Sequence, residues 1–446
     1  MSSVTRLLMM LATAAVIPAS IALAAEPAGP PPASPVQATQ VPQAPPPRGG
    51  AAAPIPALRL VEGQPIELRV PELATDKPAF VGQTRAPYHA TTAVNVAVIT
   101  DQLKAPWALQ FLSGGRMLVT QKNGTMLIVD AKGTVSAPIS GVPAVNFQGQ
   151  VGLLDVVLDN NYARNKRIFF SYSENVGPGP DAFTRIVMAS ASLDEAKLAL
   201  SNVKVIYRNN SELPRNPNSA NQGGRIVMAK DGNLFMTVGD RSLSPPWDMA
   251  QRPDTGLGKI IRITPEGAPA PGNPYLNKAG YLPEIYSFGH RSQEGLALDA
   301  SGQLWETEHG PRGGDELNMI QSGKNYGWPV IVHGIDYPGP MINGGFTEKP
   351  GYEQAAYYWD PVIAPSGLAF YNANLFPAWK GSVLVGSLGR QMLDRLTLVN
   401  GRVVNEEPLL LDQKARIRDV RVGPDGAVYV LTDAANNAKL LKLTPK

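Results

Sequence analysis

Six times along this chain an apolar run follows a turn rich in Gly, Asn, Asp, Ser or Lys. The runs are Gly114–Thr120, Asn165–Ser171, Asp231–Thr237, Ser301–Thr307, Lys380–Gly386 and Asp425–Leu431. β-Branched, aromatic and leucine side chains fill each one, so each predicts a short strand entered through a turn. The units recur roughly every 45 to 80 residues, the size of a four-stranded blade with loops of varied length. Helical periodicity is nearly absent, and Asp194–Leu200 is too short to count as a helix. Six copies of one strand-bearing unit predict an all-β chain, a six-bladed β-propeller over residues 94–446.

Ahead of Val94 the pattern changes three times. Residues 1–25 carry Arg6, an apolar run from Leu7 to Leu23 interrupted by Pro18 and Ser20, and the small-residue end Ala22-Leu23-Ala24. That is the layout of a secretory signal peptide, and it places the mature protein in the periplasm or outside the cell. A spanning helix needs about 20 apolar residues without a mid-run Pro, and no Cys follows for a lipid anchor. Residues 26–57 are almost all Ala, Pro, Gly and Gln, which cannot bury a core and predict a disordered or polyproline-like tether. Residues 58–93 form a preamble in which Arg59-Leu60-Val61 and Ile66–Val70 alternate like strands. They are expected to cap the domain or to add a strand at the outer edge of a blade.

Composition narrows the function classes. The 446 residues are 43% hydrophobic, so what remains after leader and tether can bury one large core. The net charge of +3 is small and its basic residues are scattered, which gives no footprint for nucleic acid or an anionic membrane. With no Cys there is neither a disulfide framework nor a thiolate site. Dinucleotide, P-loop and H-E-x-x-H motifs are also missing. Trp107, Trp247, Trp328 and Trp379 read as aromatics packed between blades.

Chemistry concentrates between Tyr286 and Trp328. Leu296–Leu298 and Gln303–Trp305 read as strands joined by the turn Asp299–Gly302, followed by the Gly/Pro-broken loop Glu308–Glu316. A hard cation takes oxygen ligands from carboxylates and backbone carbonyls. Gly310 and Pro311 can present carbonyls, and Asp315 and Glu316 supply charge. The plainer alternative is a solvated loop with an acidic edge.

This stretch resembles the soluble PQQ-dependent sugar dehydrogenases, the glucose/sorbosone and aldose sugar dehydrogenase family of six-bladed propellers. The resemblance is carried by Gly289-His290-Arg291, by Glu308–Asn318 (E-H-G-P-x-x-x-D-E-x-N) and by Lys324–Pro329 (K-N-Y-G-W-P). It continues through Ala105–Leu109, Gly149–Asp155 and Arg416–Val420. It implies PQQ and Ca²⁺ as cofactors, a small sugar as substrate and an external electron acceptor. It further implies that the carbonyls of Gly310 and Pro311 bind the Ca²⁺ that holds the quinone. A structural Ca²⁺ would use Asp315, Glu316, the carbonyl of Tyr326 and Asp336. Arg291, Arg416 and Arg418 would meet the carboxylates of PQQ, which planar guanidinium forks suit, although by alternation alone Arg416 and Arg418 could be strand residues with surface partners. Gln150 matches a pocket glutamine, and Trp359 stands one residue off the spacing of a pocket tryptophan.

The same resemblance exposes departures. The family removes the anomeric hydroxyl proton with the His of H-x-G-G-R-[LI], and here Asn221-Gln222-Gly223-Gly224-Arg225-Ile226 puts Asn221 in that place. An amide has no protonation change near neutral pH and cannot be a general base. Ser292 replaces the Asn after the family Arg, and the family's cofactor-contacting Lys falls at Gly389, beside Arg390. Ser292–Gly295 also brings in Glu294. Three readings follow. In one, a sugar dehydrogenase uses Glu294, His309 or a water held by Asn221 as base. In another, a propeller binds PQQ, a sugar or a cell-wall component without turnover. The last is a Ca²⁺-dependent hydrolase of the lactonase kind, since fold does not fix function.

Overall fold

The computed structural model describes residues 58–177, 183–210, 220–242 and 248–446. The leader and tether expected over residues 1–57, and Trp247, lie outside the described residues. Among the described residues twenty-three strands form six antiparallel sheets, five of four strands and one of three. β1 (Val94–Leu103) is set aside by the chain for the end. Blade 1 is β2 (Pro106–Phe111), β3 (Met117–Gln121) and β4 (Thr125–Val129). Blade 2 holds β5 (Leu153–Leu158), β6 (Arg167–Val176), β7 (Phe183–Asp194) and β8 (Ala199–Arg208). Blade 3 holds β9 (Gly223–Met228), β10 (Leu234–Val238), β11 (Lys259–Ile263) and β12 (Ile285–Phe288). Blade 4 holds β13 (Gln293–Leu298), β14 (Leu304–Glu308), β15 (Asp315–Ile320) and β16 (Tyr357–Trp359). Blade 5 holds β17 (Pro365–Phe370), β18 (Val383–Ser387), β19 (Met392–Val399) and β20 (Arg402–Leu409). Blade 6 holds β21 (Ile417–Val422), β22 (Val428–Thr432) and β23 (Ala438–Pro445).

Each of the six runs read from the sequence leads through its turn into the second strand of a blade, β3, β6, β10, β14, β18 and β22, and each strand continues past the end of the run. β1 completes blade 6 by pairing with β23, Val94 opposite Pro445 and Val98 opposite Leu441, so the two ends of the propeller close the ring. Between neighbouring blades lie apolar layers; Leu154, Ile186, Met188, Ile226, Met236 and Ile261 form the one between blades 2 and 3. The innermost strands pack around a central shaft, β2 beside β5 and so on to β21, which returns to β2.

Charged residues cross-brace that shaft. Arg225 of β9 donates to Asp419 Oδ1 of β21 at 3.0 Å, to Glu294 O of β13 at 2.7 Å and to Arg418 O at 3.0 Å, and its guanidinium lies 3.9 Å over the Trp107 ring. Arg421 donates to Asp155 Oδ1 and Asp419 Oδ2, at 3.1 and 3.0 Å. The buried Asp155, Asp419 and Arg225 and the partly buried Arg421 thus link strands from blades 2, 3 and 6. Trp107 serves this network, and Trp379 packs in the core with Tyr371 and Phe376.

Of the two expectations for the preamble, the added edge strand is not seen. Neither Arg59–Val61 nor Ile66–Val70 forms a strand, and the segment's regular pairing is one bridge, Pro65 to Pro87. Four prolines between 65 and 87 remove the donors a ladder needs. The segment instead lies as a strap on the outer strands of blades 4 and 5. Tyr358 N–H donates to Gln83 O, Glu406 N–H to Pro87 O, and the fully buried Gln83 side chain donates to Ala355 O. Among the described residues no helix is long and apolar enough to cross a membrane.

Candidate active site

Antiparallel pairing puts the start of each innermost strand beside the end of the second strand: Gly223 faces Val238, Gln293 faces Glu308 and Ile417 faces Thr432. Residues just before or at the start of innermost strands therefore meet residues just after second strands at one mouth of the shaft. Gln150, Asn221, Arg291, Ser292, Arg416 and Arg418 belong to the first group. Lys122, Asp240, His309 and Asp433 belong to the second.

Asn221 sits at φ +50°, a left-handed conformation that Asn tolerates better than most side chains. Its N–H donates to Gln150 Oε1 and its amide Nδ2 to Asp240 Oδ1, both at 2.8 Å. Asp240 Oδ1 also accepts from Ser242 N–H, and Oδ2 accepts from Trp328 Nε1 at 2.7 Å. Burial raises the Asp240 carboxyl above the usual carboxylate range, against the opposing charge of Arg291. Asp240 went unread in the sequence. The signal was weak: Asp240 follows β10 at the mouth where His309 follows β14 and Asp433 follows β22, but it stands one residue beyond Gly239, the position that matches them in register. Trp328 is also more than a packing aromatic, because it holds Asp240 and lies 5.2 Å from the Arg291 guanidinium.

Arg291 turns its Nη1 to the carbonyls of His309 (3.0 Å) and Gly310 (2.7 Å). Arg416 Nε bonds Asp433 Oδ2 at 3.0 Å, and Arg418 reaches both Asp433 and, at 3.5 Å, Glu294. All three arginines act on His309. Burial first, then the charges of Arg291, Arg418 and Arg416, hold its imidazole down at about 3, against a 2.6 Å contact of Nε2 with Pro365 O. Lys122 adds a fourth cation, 3.9 Å from Asp433. His309 is thus a neutral ring enclosed by positive charge, a poor base. Burial raises Glu294, and its closest cation is Arg418.

Two expected cofactor residues lie elsewhere. Arg390 pairs with Glu67 of the strap, and Trp359 donates its indole N–H to Glu406 (3.0 Å) and Asp394 (3.2 Å). Both line a cleft between strap and blade 5, together with Ile66, Arg85 and Tyr357. The strap's carboxylate turns Arg390 outward, and a buried acid pair claims Trp359.

The acidic residues also separate. Asp315 and Glu316 are neighbours on β15, so they point to opposite faces. Asp315 is consumed by backbone donors, Gly310 N–H on Oδ1 and the N–H groups of Ile363 and Ala364 on Oδ2, while burial pushes it up to about 7. It shapes the loop. Glu316 faces the other way, opposite Glu308, and Asn318 stands opposite Glu306. His290, Glu306 and Glu308 form a buried cluster that could hold a metal ion, His290 Nδ1 lying 3.3 Å from Glu308, with Asn318 and the half-buried Glu316 beside it. Asn318 Nδ2 contacts Glu306, Glu308 and Glu316 at 3.1–3.2 Å, one more acceptor than an amide has N–H bonds. Glu306 Oε1 and Asn318 Oδ1 are buried without a partner. Burial and then the Glu308 charge push Glu316 up to about 8 and Glu306 well above the ordinary range. Like charges opposite each other destabilise a sheet, and a bound cation resolves all of these features. Tyr326 stacks on His290 at 4.8 Å and shares a hollow with Glu308, Glu316, Gly310 and Pro311. Asp336 lines the adjoining hollow with Asp240, Arg291, Pro311 and Trp328. The structure therefore keeps Glu316 and Tyr326 together, takes Asp315 out of the ligand set and puts Asp336 to one side.

Polar atoms at the mouth also lack partners. Arg291 Nε and Ser292 Oγ are buried without one, at the same mouth as Lys122, Arg416 and Arg418, which Asp433 and Glu294 counter. This donor set fits a planar polyanion such as PQQ. The carbonyl pair fits less freely, since Gly310 O already accepts from Arg291.

The glucose/sorbosone dehydrogenase family profile matches residues 103–442. The aldose sugar dehydrogenase YliI of Escherichia coli K12 is 40% identical over 360 residues, which cover 80% of this chain and 94% of that protein. A solved glucose dehydrogenase superimposes with a TM-score of 0.73 at 41% identity, covering 79% of this chain and all of its own. A PQQ-bound aldose sugar dehydrogenase from Streptomyces coelicolor does so with a TM-score of 0.63 at 28% identity, covering 80% and 99%. By fold, by site layout and by these matches, the chain belongs to the glucose/sorbosone dehydrogenase family.

Proposed function

We propose that this protein is a periplasmic, calcium-dependent quinoprotein that oxidises aldose sugars to lactones and passes the electrons to an external acceptor. The observation that carries this reading is the convergence of Arg291, Arg416 and Arg418 on His309, with Lys122 beside Asp433 and the buried carboxylate of Asp240 at the same mouth. Arg291, Arg416 and Arg418 would hold the carboxylates of PQQ, and the carbonyls of Gly310 and Pro311 its Ca²⁺. When bound, PQQ supplies a two-electron acceptor for the anomeric hydride.

The proton goes to this chain's own residues. Asp240 takes it from the anomeric hydroxyl as the C–H hydride leaves and the lactone carbonyl forms. Asn221 Nδ2, Ser242 N–H and Trp328 Nε1 fix both carboxylate oxygens and leave lone pairs toward the hollow. A base with a raised pKa abstracts a proton better than an ordinary carboxylate. Arg291, next to that hollow, stabilises the negative charge that develops. Turnover of a dye acceptor by the purified protein with Ca²⁺, PQQ and a panel of aldoses tests the reading; no turnover with any aldose contradicts it.

A second reading, a propeller that binds PQQ or a sugar without turnover, is favoured by Asn221 itself. Asn221→His separates the two. If the pocket is built for sugar oxidation, kcat rises at least about 10-fold. An unchanged, zero rate favours the binding protein.

The carboxylate cluster carries its own expectation. Chelation is expected to lower Tm by roughly 3 °C, the effect of losing an ion held at about 100-fold over its Kd. The double variant Glu306→Gln, Glu308→Gln should melt at a temperature indifferent to Ca²⁺. Differential scanning calorimetry with and without chelator reads both.

A further inference from the structure

The strap lies ahead of residue 103, where the family match begins, yet it reaches the loop that carries Gly310 and Pro311. Gly313 and Gly314 of that loop sit in a slot. A Cβ on Gly313 would stand 2.9 Å from Asp360 Oδ1, and one on Gly314 would stand 2.7 Å from the His333 backbone. The strap secures both walls. Glu72 N–H donates to Asp360 Oδ2 at 2.9 Å, and Arg85 donates to Asp360 O at 3.1 Å. Asp76 Oδ1 lies 2.8 Å from His333 Nδ1, while Asp76 Oδ2 accepts from the Tyr358 hydroxyl at 2.6 Å. His333, 3% exposed, stacks on the Tyr358 ring at 3.8 Å. Glu72 also pairs with Arg312 of the loop at 2.9 Å, and the fully buried Leu73 anchors the strap between these contacts.

We propose that residues 72–76 are a brace for the cofactor loop and that Asp76 is its positioning residue, setting the His333 wall against which Gly314 packs. This rests on the reading of Gly310 and Pro311 given above. Partners one layer outside a ligand set orient it, and losing one typically weakens binding about 10- to 100-fold. In the loop, Gly310 N–H donates to Asp315, Arg312 N–H to Ile335 O and Gly314 N–H to Trp359 O. A loosened loop exchanges these amides faster.

The test compares full-length wild type with Asp76→Ala, Asp76→Asn and Tyr358→Phe, by hydrogen exchange and by absorbance titration of PQQ at saturating Ca²⁺. Asp76→Ala is expected to speed exchange in residues 309–315 with blades 1 to 3 unchanged, and to raise the Kd for PQQ about 10- to 100-fold while kcat at saturating PQQ holds. Asp76→Asn, whose amide can still accept from Tyr358 and donate to His333, should recover most of the affinity. Tyr358→Phe, which removes one hydroxyl, gives the intermediate result and stands in for Asp76→Ala if that variant does not fold. Unchanged exchange over 309–315 in a folded variant overturns the brace, as does faster exchange with unchanged PQQ affinity. A wild type that binds no PQQ while Asp76→Ala still loosens the loop overturns the cofactor reading and leaves the brace standing.

Discussion

Asp240→Asn is expected to lower kcat for aldose oxidation by about 10²- to 10⁴-fold, with KM for the sugar little changed. Asn221, the residue that the motif resemblance sets at the family's His position, has an amide that cannot take a proton, and that amide donates to Asp240. His309 is neutral and enclosed by arginines, and Glu294 lies against Arg418. Asp240 is the buried carboxylate that joins Asn221 to the hollow lined by Arg291 and Trp328. The pH dependence follows from its raised pKa. Only the ionised carboxylate accepts the proton, so kcat should climb as pH rises through a midpoint above the ordinary carboxylate range. That limb should vanish in Asp240→Asn and move toward the imidazole range in Asn221→His. Initial rates from pH 4 to 9, with a melting curve to confirm each fold, read the effect. An Asp240→Asn enzyme of unaltered kcat and pH profile removes Asp240 from the mechanism.

Arg225→Met is expected to destabilise the protein by about 3–5 kcal/mol, the effect of breaking a buried charge network from one side. Asp155 and Asp419 are then left with Arg421 as their cation partner in the shaft, and the carbonyls of Glu294 and Arg418 lose their donors. The guanidinium face over Trp107 is lost as well, and that contact holds β9 to β2. Adding Asp419→Asn should return part of the loss, because it removes one of the uncompensated charges; the two substitutions are expected to be strongly non-additive. Chemical denaturation midpoints measure both. An Arg225→Met variant as stable as wild type would show that the shaft network does not hold the blades together.

The fold was legible because each blade writes its second strand the same way, a turn followed by a β-branched or aromatic run. Such a signal is local. The mouth residues Arg291, Arg416, Arg418, Gln150 and Asn221 were legible through the motifs that carry the family resemblance, and they do meet at one end of the shaft. What escaped depends on register and distant contacts. Asp315 and Glu316 look like a pair in the chain, but a period of two puts them on opposite faces, one shaping the loop and one in the cluster. Glu306, Glu308, Glu316 and Asn318 share a face through the pairing of β14 with β15, which alternation within each strand suggests and pairing alone completes. Arg390 and Trp359 are diverted by a strap without strand periodicity and by the buried acids Asp394 and Glu406. Asp240 stands one residue beyond the position that matches His309 and Asp433 in register, so its place at the mouth shows in its contacts with Asn221 and Trp328.

The central claim is that the mouth of the shaft holds PQQ and that the chain's own groups carry an aldose proton away from it. Its most direct test is an absorbance titration of PQQ into the calcium-loaded protein, followed by a mixture of aldoses under anaerobic conditions. Saturable binding that weakens in Arg416→Ala and Arg418→Ala is expected, and then bleaching of the bound quinone to its reduced spectrum when sugar is added. Binding without reduction would leave a cofactor-binding propeller, and absence of binding would contradict the account altogether.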